Sequence, residues 1–250
     1  MRTAVRAWWW LLDYLYALRR QLASAFRPRV PAAYSAGDPA LPAIVLLPGV
    51  YEGWLFLEPA AKRLNKLGFR VFAVPELGAN SSTVPASAAI VSKALSGLRV
   101  SHGVERCILL AHSKGGLIGK ALMLDAGIRE EVDAPGDAGV QVQVQVLGLV
   151  AVATPFAGSR YARYLPSRSL RSFSPRDAVL VSLQAQTAVN AQVVSIYPEF
   201  DPHIPGGSAL PGAVNVELPV SGHFRTLADP TVLAAVELAV VRLSGGDDRA

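Results

Sequence analysis

Cys107-Ile108-Leu109-Leu110-Ala111-His112-Ser113-Lys114-Gly115-Gly116 joins a run of strand composition to a stretch of helical composition with no loop between them. Residues 106–111 read as a β-strand rich in leucine, and residues 116–125 carry a helical pattern. A serine on so sharp a strand-to-helix turn is held in strained φ/ψ. The residues two before and two after it must therefore lack bulk, and Ala111 and Gly115 meet that requirement. The hydroxyl of Ser113 then projects above the sheet edge at the start of a helix. One reading makes Ser113 an N-cap for the helix from Lys114 onward. The other makes it a nucleophile, and the rest of the chain has to decide between them.

Outward from this turn, strand and helix alternate. Residues 43–47 form an apolar run ending in Pro48-Gly49, residues 57–67 are helical and closed by Gly68, and residues 69–74 are strand-like. A helix is expected over 87–98 and a polar, acidic loop over 127–139. Residues 140–153 begin in strict alternation and become continuously apolar, as a strand does on passing from an exposed edge into the covered middle of a sheet. Two further strands, 192–197 and 213–218, and an amphipathic closing helix, 231–243, complete the pattern. Strands separated by helices predict an α/β fold, a mostly parallel sheet covered on both faces. Residues 156–190 are the place for a short lid or cap segment. Arg160, Arg163, Arg168, Arg171 and Arg176 alternate there with aromatic and leucine side chains, and a short helix over 175–189 is the plainer reading.

Composition bounds the rest. Of 250 residues, 51% are apolar and 17% charged, which describes a globular domain with a large core and excludes a disordered tail protein. Mean hydropathy is +0.32, yet no apolar run reaches the roughly 18 residues of a membrane-spanning helix. One cysteine, Cys107, removes any internal disulfide framework and any cysteine-based zinc cluster. The net charge of +5 is scattered, mostly as arginine, and does not favour nucleic-acid binding.

Residues 1–29 resemble a targeting peptide only superficially, because Asp13 interrupts the apolar run and no convincing small-residue cleavage site follows it. On a helical wheel Arg2, Arg6, Asp13, Ala17, Arg20 and Ser24 fall in a stripe roughly 60° wide, and nearly everything else is apolar. Such a helix, followed by a linker over 30–42, docks on its own domain or on a second copy of the chain, lies in a membrane interface, or acts as an export signal. Residues 245–250 are read as a flexible tail.

A serine nucleophile needs a base, and the base needs an orienting acid. Two loops after strands offer them in the order serine, acid, histidine: Pro198-Glu199-Phe200-Asp201-Pro202-His203 supplies Asp201, and Ser221-Gly222-His223-Phe224 supplies His223. His102 precedes its strand and lies at the wrong sheet edge. His112, inside the turn, is assigned a packing or hydrogen-bonding role, and His203 would need an acid other than Asp201. Asp177, three residues after Ser174, reads as a helix start. Glu199, Glu217 and Asp229 are the weaker alternatives to Asp201.

With these residues in place, the chain resembles the α/β-hydrolase superfamily, and within it the small bacterial lipases and esterases, over residues 42–244. The resemblance rests on residues 46–54, 111–116, 149–159 with Thr154-Pro155 and Gly158-Ser159, 201–205 and 221–224. It implies an oxyanion hole formed by the backbone N–H groups of Lys114 and Val50, with Tyr51 as the rival to Val50. Many lipases carry His-Gly where this chain has Pro48-Gly49, so a side-chain hydrogen bond that steadies this loop is lost here. The expectation is therefore a serine hydrolase of carboxylic esters, esterase- or lipase-like, with the triad Ser113, Asp201 and His223 and with no cofactor or metal. An acyltransferase or thioesterase with the same triad, or a non-catalytic binding protein of this fold, are the alternatives. The expected partner is a small-molecule or lipid ester, with no nucleic acid, and residues 1–26 would make a peripheral membrane contact or a homodimer. The chain is read as cytoplasmic, with peripheral membrane attachment and export as the alternatives.

Overall fold

Five consecutive apolar residues, Ala43–Leu47, form β1 and are buried throughout, because helices cover both faces of the sheet that contains them. In the computed structural model, which describes residues 3–27, 29–132, 143–164 and 167–245, the other strands are β2 (Val71–Ala73), β3 (Arg106–His112), β4 (Gln145–Val152), β5 (Val193–Phe200) and β6 (Val214–Ser221). The helices are α1 (Thr3–Phe26), α2 (Glu58–Lys66), α3 (Val84–His102), α4 (Lys114–Val132), α5 (Arg168–Arg171), α6 (Ala178–Ala185) and α7 (Pro230–Leu243). The sheet order is β2-β1-β3-β4-β5-β6, and every described pairing is parallel. The expected α/β architecture is what the chain forms.

Alternation along each strand sorts the core into two layers. Val45, Leu47, Leu109 and Ala111 face α3 and α4, where Val91, Leu95, Leu117 and Ile118 meet them. Ile44, Leu46, Ile108, Leu110 and Val150 face α2 and α7, where Leu64, Val232, Val236 and Val240 close the other side. β4 runs from the exposed Gln145 to the buried Val152 as its composition predicts, although residues 140–142 of the alternating stretch lie outside the described residues.

Several boundaries differ from the sequence reading. The expected loop over 127–139 is helical as far as Val132, and the remainder of it lies outside the described residues, as do residues 246–250 of the expected tail. α3 starts three residues before the expected position, because Thr83 caps it and Pro85 sits in its first turn. Over 156–190 only short helices form, and Phe173, Leu180 and Leu183 bury their side chains in the core.

α1 lies on the domain with its wheel turned the unexpected way. Asp13 is fully buried and Ala17, Arg20 and Ser24 are half-buried, while Leu11, Leu15, Leu18 and Leu22 are each at least half exposed. The polar stripe from Asp13 to Ser24 faces the protein and the leucine face looks outward, the reverse of an ordinary amphipathic surface helix. Polar contacts explain the orientation. Arg20 and Arg27 both bond the Glu58 carboxylate at the start of α2 (2.9 and 2.8 Å), and Trp54 Nε1 donates to the Arg27 carbonyl (3.0 Å). No described helix is long and apolar enough to cross a membrane.

The turn from β3 into α4 tolerates no added bulk. A Cβ on Gly115 would strike the Leu47 carbonyl oxygen, and one on Gly116 would strike the Thr154 side chain. Gly115→Ala is expected to cost about 3 kcal/mol, the upper end for overpacking against rigid backbone, measured as a fall in the urea midpoint. An unchanged midpoint would contradict this packing.

Candidate active site

Ser113, Asp201 and His223 follow β3, β5 and β6, all at the carboxyl edge of the sheet. Ser113, directly after β3, has φ of 50°, and its N–H bonds the Val152 carbonyl of β4 (3.0 Å). The left-handed turn therefore remains tied into the sheet. Asp201 follows β5 and His223 follows β6, and His223 Nδ1 lies 2.7 Å from Asp201 Oδ2. The other carboxylate oxygen accepts the N–H groups of His203 (2.7 Å) and Ile204 (3.0 Å). An ionised Asp201 accepts only, so Nδ1 of His223 carries the proton and Nε2 remains for the cavity. Ser113 and His223 both line a cavity of about 840 Å³ whose wall is mainly apolar: Val50, Phe56, Leu170, Phe173 and Phe224 from the domain, and Trp10, Tyr14, Ala17 and Leu18 from α1.

Electrostatics hold the pair in charged and chargeable forms. Burial opposes the charge on His223, but the Asp201 charge and hydrogen bond, helped by Asp13 and Glu52, outweigh it and raise its pKa. Burial likewise opposes ionisation of Asp201. His223 and His203 overcome that effect and hold its carboxyl below the usual range. His203 sits 4.8 Å, centroid to centroid, from the His223 ring, and burial together with repulsion from His223 pushes its pKa down to about 3 despite Asp201. It is a neutral wall residue. His102 is exposed at the end of α3 with its ring against Phe72. Glu199 and Glu217 are exposed, Asp229 caps α7, and Asp177 caps α6, so none of these acids reaches His223.

Val50 lines the cavity, whereas the Tyr51 N–H donates to the Ala79 carbonyl (2.7 Å). Tyr51 also lines the cavity, but its N–H is thereby engaged elsewhere, which leaves the Val50 N–H as the one of the two without an acceptor among the described residues. The missing histidine before Gly49 has a substitute that the sequence reading did not find. Glu52 is buried, and its Oε2 accepts the Gly49 N–H (2.8 Å) and meets His112 Nδ1 (2.8 Å). His112 Nε2 in turn faces the carbonyl oxygen of His223 (3.1 Å). Both ring nitrogens of His112 are thus engaged, one by a side chain and one by a main-chain carbonyl. One chain of bonds spans from the loop after β1 to the loop after β6.

Lys114 supplies a second brace. Its buried ammonium donates to the Asn80 carbonyl (2.6 Å), Asn80 Oδ1 (3.1 Å) and the Ser82 carbonyl (2.5 Å), so all three donors are used. Burial lowers its pKa to about 8. Asn80 Nδ2 bonds the Pro48 carbonyl (2.8 Å), which links the serine turn to the loop carrying Val50. The only sequence signal for Glu52 and Asn80 was their place in loops after strands. No group of three His, Cys, Asp or Glu among the described residues is disposed to hold a metal.

Comparison of the whole fold places it among known proteins. The structure is similar to the mature lipase BlEst2 of Bacillus licheniformis (TM-score 0.58, 16% identity, covering 81% of this chain and 94% of that one). It is also similar to lipase B of Aspergillus fumigatus (TM-score 0.63, 17% identity, 86% of this chain and 55% of that one). A third similarity is to the 2-hydroxy-6-oxo-6-phenylhexa-2,4-dienoate hydrolase of Rhodococcus sp. strain RHA1 (TM-score 0.55, 15% identity, 82% and 92%). No family sequence model matches the chain, and no curated protein matches it in sequence. The chain has the α/β-hydrolase fold.

Removing the Glu52 carboxylate leaves the buried Gly49 N–H and Nδ1 of the His112 ring without their partner. Glu52→Ala is expected to lower stability by about 2 kcal/mol, within the range for a buried donor left unsatisfied, read from denaturant unfolding at pH 7. A loss below a few tenths of a kcal/mol would show that Glu52 is dispensable.

Proposed function

We propose that the protein is a serine hydrolase of carboxylic esters, esterase- or lipase-like, working through an acyl-enzyme. The observation that carries this reading is the Asp201–His223 bond of 2.7 Å opening, with the strained Ser113, onto one apolar cavity. His223 Nε2 removes the Ser113 proton as Oγ attacks the ester carbonyl carbon. The tetrahedral oxyanion is met by the N–H groups of Lys114 and Val50, each worth roughly 10²- to 10³-fold in rate. The C–O bond to the alcohol breaks, and the alcohol leaves with the proton held by His223. Water then attacks the acyl-Ser113, giving its proton to His223, and collapse releases the acid and restores the serine. Asp201 keeps the imidazole in the required tautomer and balances its charge during each transfer. The same groups serve thioester cleavage or acyl transfer, with the acceptor chosen by the cavity.

The cavity lining supports an acyl chain rather than a polar substituent. The outward leucine face of α1 supports contact with a lipid surface: Leu18 and Tyr14 are exposed and also line the cavity, so the apolar face runs to its mouth. The exposed Arg19 lies beside that face and favours anionic head groups.

A fluorophosphonate probe is expected to label Ser113, located by peptide mapping, and Ser113→Ala or His223→Ala is expected to abolish turnover of short p-nitrophenyl esters with little change in Tm. A folded protein that stays unlabelled would refute the mechanism. The base must be neutral, and its pKa is raised, so kcat/KM should fall as pH drops through a value above the usual histidine figure of about 6.5. Replacing Leu11, Leu15 and Leu22 together by Gln is expected to abolish co-sedimentation with vesicles of phosphatidylcholine and phosphatidylglycerol. Equal binding by wild type and variant would refute the lipid contact, and a change from dimer to monomer would assign the face to a second copy.

A further inference from the structure

Asp13 is fully buried on α1, and its partners lie 210 to 212 residues further along the chain. Oδ2 accepts the N–H of His223 (3.0 Å), and Oδ1 accepts those of Phe224 (2.8 Å) and Arg225 (2.9 Å). Three successive N–H groups converging on one point form a concave anion site of the kind that usually holds a phosphate or sulfate. Here the protein fills it with its own carboxylate, 210 residues away from the first of those groups. The loop is shaped for that carboxylate: Gly222 has φ of 114°, and a Cβ on it would come within 2.7 Å of Asp13 Oδ1. The neighbours of Asp13 complete the grip. The Arg225 guanidinium lies over the Trp9 ring at 4.4 Å, and Trp10 and Tyr14 pack on His203 at 5.4 and 5.5 Å, which itself packs on His223.

We propose that Asp13 is a positioning residue for His223, and that α1 is a working part of the active site that sets where the base stands. The inference rests on the hydrolase reading above. His223 is held through its ring by Asp201 and through its carbonyl by His112, but only Asp13 holds its N–H and the two that follow. Without Asp13 three N–H donors, one of them buried, lose their acceptor, and the loop carrying the base is free to shift. The charge matters as well as the geometry. The groups facing His223 are Asp201 after β5, Glu52 after β1, Asp13 on α1, and the rings of His112 and His203. Asp13 is one of three carboxylates that favour the imidazolium formed when Ser113 gives up its proton.

The test uses the full chain with p-nitrophenyl butyrate. Asp13→Asn keeps the shape but removes the charge and turns one acceptor into a donor. It is expected to lower kcat about ten- to a hundredfold, the scale of a misplaced catalytic group, with KM changed less than threefold. The acid limb of kcat/KM should move to lower pH, because a charge that favoured protonated His223 is gone. Asp13→Glu keeps the charge and should leave the acid limb in place while still lowering kcat. A folded Asp13→Asn variant with kcat within twofold of wild type and an unmoved limb overturns the proposal. Should neither variant fold, hydrogen exchange of the wild type decides. Amides of 223–225 protected like those of β5 support the clamp, and amides exchanging like those of an open loop overturn it. Failure of the wild type to label at Ser113 strikes instead at the hydrolase reading, which separates the two results.

Discussion

Four residues other than glycine have positive φ in the described chain, Tyr51 (60°), Asn80 (47°), Ser113 (50°) and Ala153 (48°), and all four stand on the carboxyl edge of one sheet. Each is expected to cost about 1–3 kcal/mol unless its surroundings enforce it. The enforcement is visible as a row of hydrogen bonds continuing the sheet past its strands. Tyr51 bonds Ala79, Ser113 bonds Val152, and Ala153 bonds Ile196. Each bond carries the exit of one strand to its neighbour, so the strain at Ser113 is shared by a lattice and is not borne by one turn. The small residues Gly115 and Gly116 follow from the same constraint, since the helix after Ser113 must pass directly over Leu47 and Thr154.

On top of that edge sit buried charges, and their arrangement is economical. Glu52 serves Gly49 and His112, and Lys114 serves Asn80 and Ser82, so the loops bearing Val50, Ser113 and His223 are joined by hydrogen bonds of buried polar side chains. Apolar side chains here would fill space without fixing direction. Charged bonds fix direction, and catalysis by fixed dipoles requires it. Cys107, the second residue of β3 beneath, contributes only volume: burial raises its thiol to about 12, far from any reactive form.

Much of this was legible from the residues. β1 was bounded to the residue, because a five-residue apolar run between prolines admits few readings. Asp201 and His223 could be singled out because each follows a strand; the rival acids are caps or exposed side chains, His102 is exposed, and only His112 and His203 share the buried surroundings of His223. What escaped had a common cause. The roles of Glu52, Asn80 and Asp13 depend on partners 60, 34 and 210 residues away respectively, and no periodicity encodes such pairings. α1 misleads for a sharper reason. A helical wheel reports which side is polar but not which side is buried, and in this chain the polar side is the buried one because it meets unpaired N–H groups and a carboxylate.

The bonds from Asp13 to the loop at 223–225 also impose an order on assembly. α1 is synthesised some 210 residues ahead of its ligands, so while the sheet between them is being made this helix has no N–H nest to occupy. Closing so long a loop is entropically costly and slow compared with local pairing. The sheet can form around Ser113 well before the helix settles. Assembly in two stages is the expectation, a strained serine on a finished edge and, later, a fixed base. Only a chain that has been completed through residue 225 can hold both.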